Sequence, residues 1–293
     1  MSATATACLW MIGAIVSFTS MAVAGRAVAV DLDTFELMMY RSFIGIALVV
    51  GIGGLRGTLG QITTQRMGLH GLRNVSHFAG QNLWFYAVTV LPLTQVFALE
   101  FTSPLWVLLL SPFVLGERLT LWRVAAAAGG FIGILIVTRP GAQPFDPNLI
   151  YAALAAIGFA GSAVFTRKLT RTDSITCVLF WLTVMQATFG VICAAWDGDV
   201  ALPSMATLPW VIVVSCAGLL AHFCLTTALS LAPATVVMPV DFARLPVIAL
   251  VGALVYGEVV DPWVLVGAIV IFGANYLNIL HETRQMRAPV TKA

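Results

Sequence analysis

Charged side chains are scarce in this sequence. Of its 293 residues, only 10% are charged and 60% are hydrophobic. Ordinary soluble domains have about 25% and roughly 45–50% of these classes. A soluble protein of this size needs polar groups to cover its surface, whereas lipid accepts an apolar exterior. The composition therefore excludes an ordinary soluble fold and predicts an integral membrane protein.

Signatures of several other protein classes are missing as well. The net charge is only +2, and no basic run is long enough to follow a phosphate backbone, so no nucleic-acid partner is expected. The five cysteines form no CxxC pair, so neither a disulfide framework nor a metal knuckle is indicated. HExxH and GxSxG are absent, which argues against an intramembrane hydrolase. We predict no catalytic residue, metal or cofactor.

The sequence is rich in apolar runs of about 20 residues, the length that crosses roughly 30 Å of hydrocarbon as a helix. Ten such runs can be placed. They cover residues 4–24, 35–55, 71–90, 93–115, 121–138, 149–166, 174–196, 209–231, 234–256 and 263–280. The connections are too short for a soluble domain. We therefore expect an all-α integral membrane protein with ten transmembrane helices.

Lysine and arginine in the connections predict the orientation, because positively charged loops stay in the cytoplasm. One side carries eleven of these residues and the other only two, Arg26 and Arg139. The eleven are Arg56, Arg66, Arg73, Arg118, Arg123, Arg167, Lys168, Arg171, Arg284, Arg287 and Lys292. Both termini are therefore expected in the cytoplasm, and the connection over 141–148 is expected outside.

The chain repeats itself at an offset of 141 residues. The aligned pairs include Arg26 with Arg167, Glu100-Phe101 with Asp241-Phe242, and Gly116-Glu117 with Gly257-Glu258. Residues 1–140 and 141–293 are therefore predicted to be two five-helix halves of one membrane domain. Since five is odd, the second half enters the membrane inverted. Inverted repeats place a substrate site near the midplane and allow alternating access as one half rocks against the other.

Two segments carry a family resemblance. The segment from Leu91-Pro-Leu-Thr to Leu-Gly-Glu-Arg-Leu-Thr120, followed by a Gly-rich apolar helix, resembles the EamA-type drug/metabolite transporter pattern. The second copy begins at Ala232-Pro-Ala-Thr and lacks Arg-Leu-Thr after its Gly-Glu pair. Tyr40-Arg41 is similar to the arginine often seen in the second span of that family. The resemblance implies a ten-helix carrier of the bacterial inner membrane, typically an exporter of amino acids or related metabolites.

Ionisable residues inside the spans are costly in lipid and are functional candidates by default. Glu100 in the fourth span and Asp241 in the ninth are repeat mates at mirrored depths. Arg244 follows Asp241 by three residues, so these two are expected to pair, either structurally or as a clamp for a zwitterion. Arg41, at a depth similar to that of Glu100, is expected either to pair with Glu100 or to extend toward the interface.

Polar and aromatic residues add candidates for a cavity wall. His77, Gln81 and Trp84 share one face of the third span, and Gln81 is the repeat mate of His222. Each alone fits an interhelical hydrogen bond, whereas their symmetric placement favours a cavity. The predicted substrate-binding residues are His77, Gln81, Trp84, Phe97, Glu100, His222, Asp241, Arg244 and Tyr276.

Prolines mark the fourth and ninth spans. Each span contains two of them, and proline removes a backbone hydrogen bond and kinks a helix. They are Pro104 and Pro112 in the fourth span, and Pro239 and Pro246 in the ninth. We therefore expect these two spans to be bent walls of the cavity.

These features favour a transporter, not an enzyme, that exports neutral or aromatic amino acids and related compounds. A nucleotide-sugar or sugar-phosphate carrier on the same fold is the alternative, but it needs several cations for phosphate, and only Arg41 and Arg244 lie deep. An intramembrane enzyme is a weaker alternative. The expected partners are a small-molecule substrate and the lipid bilayer, and we expect a monomer or a weak homo-oligomer.

Overall fold

The structure is a computed structural model that describes most of the chain. It covers residues 3–91, 93–117, 119–139, 146–196 and 198–257, and in the last span residues 262, 263, 266, 267, 269, 270, 273, 274, 276, 277, 280 and 281. Every regular element in these ranges is helical. Six of the described helices are long and apolar enough to cross a membrane, so the predicted all-α membrane fold is confirmed.

The first half contains three long helices followed by three shorter ones. The long helices are α1 (Ala3–Val28), α2 (Thr34–Leu55) and α3 (Met67–Val90). The shorter helices are α4 (Leu93–Glu100), α5 (Ser103–Leu115) and α6 (Leu121–Thr138). Asp33 begins α2 with a capping box, in which its carboxylate accepts from the Glu36 N–H at 2.8 Å and the Glu36 carboxylate accepts from the Asp33 N–H at 2.9 Å.

The second half repeats this order. Its long helices are α7 (Leu149–Leu169), α8 (Ile175–Ala194) and α9 (Leu208–Leu231). They precede α10 (Ala234–Val237), a 3₁₀ segment (Met238–Ala243) and α11 (Arg244–Tyr256). The described residues of the predicted tenth span, 263–280, are helical. The rest of that span, residues 141–145, and Glu258 of the second Gly-Glu pair lie outside the described residues.

The fourth and ninth spans are both interrupted. The fourth breaks between α4 and α5 at residues 101–102, directly before Pro104 in the first turn of α5. The ninth tightens into the 3₁₀ segment before α11. With the repeat offset, Ser103 and Arg244 begin equivalent helices, α5 and α11. The predicted bends therefore occur near Pro104 and Pro239, whereas Pro112 and Pro246 lie inside α5 and α11 without a break.

The two halves interlock rather than lie side by side. The most extensive packing in the described chain joins α1 to α9, α3 to α7, and α2 to α8, each pair taking one helix from each half. α5 and α11 end at equivalent left-handed glycines, Gly116 (φ 66°) and Gly257 (φ 67°). The repeat seen in the sequence is thus a repeat of structure.

Repeat-related arginines bind the ends of repeat-related helices. Arg26 donates to the carbonyls of Val88 at 3.2 Å and Leu91 at 2.9 Å, at the end of α3. Its mate Arg167 donates to the carbonyl of Leu229 at 2.5 Å, at the end of α9. Carbonyls at a helix C-terminus have no intrahelical donors, so a cation stabilises them.

Candidate substrate cavity

A central cavity lies between the interrupted spans and helices α1, α3, α7 and α9. Seven of the nine residues predicted for the substrate site line it: His77, Gln81, Trp84, Glu100, His222, Asp241 and Arg244. The third-span stripe and the paired carboxylates thus reach one space. Phe97 and Tyr276 do not line the cavity.

Arg244 is the centre of a buried charge cluster at one side of this cavity. Its Nη2 atom donates to Glu100 Oε1 and, at 2.7 Å, to Asp241 Oδ2. The arginine is only 2% exposed. The predicted pair of Asp241 and Arg244 is confirmed, and Glu100 joins it from the other half. We call Glu100, Asp241 and Arg244 the charge triad.

Each carboxylate of the triad has a different environment. Glu100 accepts a second hydrogen bond from Trp84 Nε1 at 2.6 Å. Asp241 Oδ1 and Arg244 Nε are buried and have no partner in the structure. With all three groups ionised, two negative charges face one positive charge, so the triad has an excess of one negative charge. A buried excess charge favours a cationic group of a ligand.

Aromatic rings enclose the arginine of the triad. The Arg244 guanidinium carbon lies 5.1 Å from the ring centre of Phe18, 4.9 Å from that of Phe97 and 5.3 Å from that of Phe101. These distances fit cation–π contacts, which are strongest where water is excluded. Phe97 therefore acts behind the cavity wall, where it holds Arg244 in place.

Two histidines of the cavity lining lie in contact with each other. The rings of His77 and His222 are edge to face, with centroids 4.6 Å apart. His77 Nε2, both ring nitrogens of His222 and Gln81 Nε2 are buried without a partner. A buried polar atom is costly unless it is hydrogen-bonded. These atoms are therefore available to bind polar atoms of a substrate.

Arg41 does not occupy either predicted position. Glu100 pairs with Arg244, and Arg41 is buried, with 6% exposure, so both the predicted pairing and the predicted extension to the interface are wrong. Its Nη1 atom contacts Met38 Sδ at 3.5 Å. Arg41 lines a smaller pocket that meets the central cavity at His222.

Arg73 is a cavity residue that the sequence reasoning missed. The rule of positive loops assigns it to a cytoplasmic connection, but it lies in α3, is 1% exposed and lines the cavity. Its Nε donates to Thr166 Oγ1 at 3.1 Å and its Nη1 to Asn74 Oδ1 at 2.9 Å. Arg73 precedes His77 by four residues, so helical spacing already placed it on the predicted stripe. Phe18 and its repeat mate Phe159 were also missed.

Tyr276 is not brought to the cavity. Its side chain is 63% exposed on the last span. An aromatic residue on the outer surface of a membrane helix is typical of packing against lipid or of the interfacial belt.

A separate group of residues has the chemistry to hold a metal. His70, Asp173 and Cys177 place ligand atoms within 4.8 Å of one another. His70 Nε2 is 3.0 Å from Asp173 Oδ2 and 4.0 Å from Cys177 Sγ. None of the three lines the cavity. The hydrogen bond between the His70 ring and the Asp173 carboxylate explains why these two side chains lie 3.0 Å apart.

Known proteins resemble the chain over nearly its whole length. It is 27% identical over 279 residues to an S-adenosylmethionine uptake transporter of Rickettsia bellii, with 94% of both chains covered. It is 32% identical over 220 residues to a riboflavin transporter of Brucella anthropi, covering 73% of this chain and 77% of that one. A solved crystal structure with 20% identity has a TM-score of 0.77 over 97% of this chain and 99% of that chain, which shows a shared fold.

The family model fits both halves of the repeat. The EamA-like transporter model matches residues 5–139 and again residues 147–280. The two matched segments follow the two structural halves, each with an interrupted fourth helix. The chain is a multi-pass membrane transporter and belongs to the EamA-like transporter family.

Proposed function

We propose that this transporter carries an amino-acid-type metabolite with an aromatic or heteroaromatic group through the central cavity. The observation that carries the proposal is the charge triad, which presents two carboxylates to one guanidinium in a cavity that also has aromatic rings and unpartnered histidine nitrogens. The triad suits an ammonium or other cationic group. The unpartnered nitrogens of the histidines and Gln81 suit a ring with hydrogen-bonding atoms.

This proposal refines the interpretation that the sequence suggested. The arginine of the Asp241–Arg244 pair was expected to meet a substrate carboxylate, but two carboxylates already occupy it. The triad therefore contributes negative charge rather than a balanced pair. S-adenosylmethionine, the named cargo of the Rickettsia relative, combines an amino-acid group with a heteroaromatic ring and so fits both the triad and these nitrogens.

A riboflavin-type cargo is the second candidate. The supporting observation is the wall of His77, Gln81 and His222, whose unpartnered buried nitrogens match a ring with several hydrogen-bonding atoms. The Brucella relative is a riboflavin transporter. Riboflavin has no ammonium group, so this cargo leaves the triad without a ligand. We therefore rank it below the amino-acid type.

A sugar-phosphate cargo fits the cavity less well. Arg73 adds a third deep arginine to Arg41 and Arg244, but the triad uses Arg244, and Arg73 donates to Thr166 and Asn74. A doubly charged phosphate next to the two carboxylates of the triad is unfavourable.

The direction of transport is a separate part of the proposal. Export rests on the family resemblance, while the Rickettsia relative is an uptake transporter.

A substrate panel in proteoliposomes tests the proposal. Uptake and efflux of phenylalanine, S-adenosylmethionine, riboflavin and a hexose phosphate are measured with and without an imposed pH gradient. We expect amino-acid-type compounds to be transported and the hexose phosphate to be excluded. Transport of riboflavin or the hexose phosphate with no transport of either amino-acid-type compound contradicts the proposal.

A further inference from the structure

The pocket beside His222 contains a buried arginine without a counter-charge. It is lined by Arg41 and His222 together with Ser42, Thr183, Gln186 and Ser215. Among the described residues, no ion pair includes Arg41, and the cavity carboxylates of Glu100 and Asp241 bind Arg244 instead. The Arg41 guanidinium donates to the sulfur of Met38, a weak acceptor. An arginine buried this way is costly unless an anion compensates it.

The serine and threonine hydroxyl groups of this pocket already donate to backbone carbonyls, so they do not bind an anion. Ser42 donates to the Met38 carbonyl at 2.6 Å, and Ser215 donates to the Val211 carbonyl at 2.6 Å. Thr183 likewise donates to carbonyls of its own helix. The donors that remain for a ligand are the Arg41 guanidinium and the one protonated ring nitrogen of His222, since neither nitrogen of that ring has a partner.

Gly218 leaves the space in which the guanidinium lies. A Cβ atom at this position would be 3.1 Å from Arg41 Nε and 3.3 Å from Arg41 Cζ. Gly218 is the repeat mate of His77, so the second half has a glycine where the first half has a cavity histidine. The smaller residue admits Arg41 from α2 to the edge of the cavity.

We propose that Arg41 and His222 form an anion subsite that binds a carboxylate group. A guanidinium matches the planar carboxylate with two parallel hydrogen bonds, and the neutral imidazole donates one more. The carboxylate comes either from the transported substrate or from a small free anion. The first source rests on the proposed function and places the two charges of a zwitterion on separate walls, the ammonium at the charge triad and the carboxylate at Arg41.

Thermal unfolding of the purified full chain tests the subsite without reference to transport. Formate is the probe, and gluconate, which is too large for the pocket, is the reference at equal ionic strength. We expect the wild-type Tm to be roughly 2–4 °C higher in formate. Arg41→Gln abolishes this difference, whereas Arg56→Gln, which removes an exposed arginine after the end of the same helix, preserves it. An equal shift in Arg41→Gln and the wild type, or no shift in the wild type, overturns the proposal.

Two further variants keep the test valid if Arg41→Gln does not fold. Arg41→Lys keeps the charge but loses the two parallel hydrogen bonds, so the formate shift is expected to fall without vanishing. Gly218→Ala keeps the arginine and crowds its guanidinium, so formate affinity is expected to fall several-fold. A full wild-type shift in both variants contradicts the subsite.

The source of the carboxylate is decided by a matched pair of compounds. Phenylalanine and phenethylamine differ by the carboxylate alone. If the substrate supplies the anion, phenylalanine reduces the formate shift, and the wild type prefers it in transport by roughly tenfold, a preference that Arg41→Gln loses. If a free anion occupies the subsite, phenethylamine transport depends on formate. If no amino-acid-type compound, S-adenosylmethionine included, is transported while the formate shift persists, the proposed function fails and the subsite stands.

Discussion

The fourth and ninth spans are repeat mates, yet they contribute differently to the cavity. Each brings a carboxylate, Glu100 or Asp241, to the interruption of its helix. Only the ninth span brings an arginine, Arg244, since its repeat mate in the fourth span is Ser103. The Ser103 hydroxyl is buried without a partner. One arginine thus serves both carboxylates. The comparison teaches that a symmetric scaffold acquires a polar site at positions where the repeat mates have different side chains.

Removal of the shared arginine is expected to have the largest effect. Arg244→Gln leaves two carboxylates buried without a counter-charge, which destabilises the protein by about 3–5 kcal/mol and abolishes transport. Arg244→Lys keeps the charge and is the control. The measurement is thermal unfolding together with transport in proteoliposomes. Wild-type stability in Arg244→Gln contradicts the triad.

Neutralising the whole triad separates folding from binding. Because Glu100 joins the pair, the double variant Asp241→Asn/Arg244→Gln still leaves one orphan charge and is expected to remain unstable. Adding Glu100→Gln removes that charge and restores stability toward the wild-type value. Transport of amino-acid-type substrates stays lost if the triad binds them. A triple variant that folds and transports at the wild-type rate shows that the triad is a packing device.

Two equivalent interfaces differ in how closely their backbones approach. In the α3–α7 interface, a Cβ atom on Gly158 would lie 2.7 Å from Gly80 Cα and 2.8 Å from the Ser76 carbonyl oxygen. The mates of Gly158 and Gly80 in the α1–α9 interface are Ser17 and Ala221. Gly158→Ala is expected to cost about 1–3 kcal/mol, while Ser17→Ala, which adds no atom to its buried site, is expected to cost less. Equal losses in unfolding experiments contradict this difference.

The repeat-related arginines at the helix ends provide the smallest expected effects. Arg26→Gln and Arg167→Gln each remove charged donors from carbonyls at the end of α3 or α9. We expect each change to cost about 1 kcal/mol and the double variant to be additive. Thermal unfolding of the two single variants and the double variant measures this. A loss of several kcal/mol in only one of them shows that the two ends are not equivalent.

The sequence predicts the fold well because hydrophobic length and the repeat register are local properties. The predicted spans 35–55, 93–115 and 209–231 agree within a residue or so with helical segments of the structure. The stripe of His77, Gln81 and Trp84 reaches the cavity because helical period alone sets its face. The orientation across the membrane and the boundary between residues 140 and 141 stay predictions.

The pairing of charges was harder to predict because it depends on which helices meet. Glu100 and Arg244 are 144 residues apart, and no local pattern shows that α4 approaches α11. Depth along a span suggested Arg41 as the partner, but depth does not say which side a residue faces. Arg73 was misassigned because the rule of positive loops counts arginines near span ends without regard to burial.

The interlocking of the two halves has a consequence for motion. Since α1 packs mainly on α9, and α3 on α7, rocking residues 1–140 as one body against the rest would separate the tightest contacts in the described chain. Close-packed interfaces resist such separation. We therefore expect the moving bodies of the transport cycle to be mixed pairs, each with one helix from either half, rather than the two sequence halves.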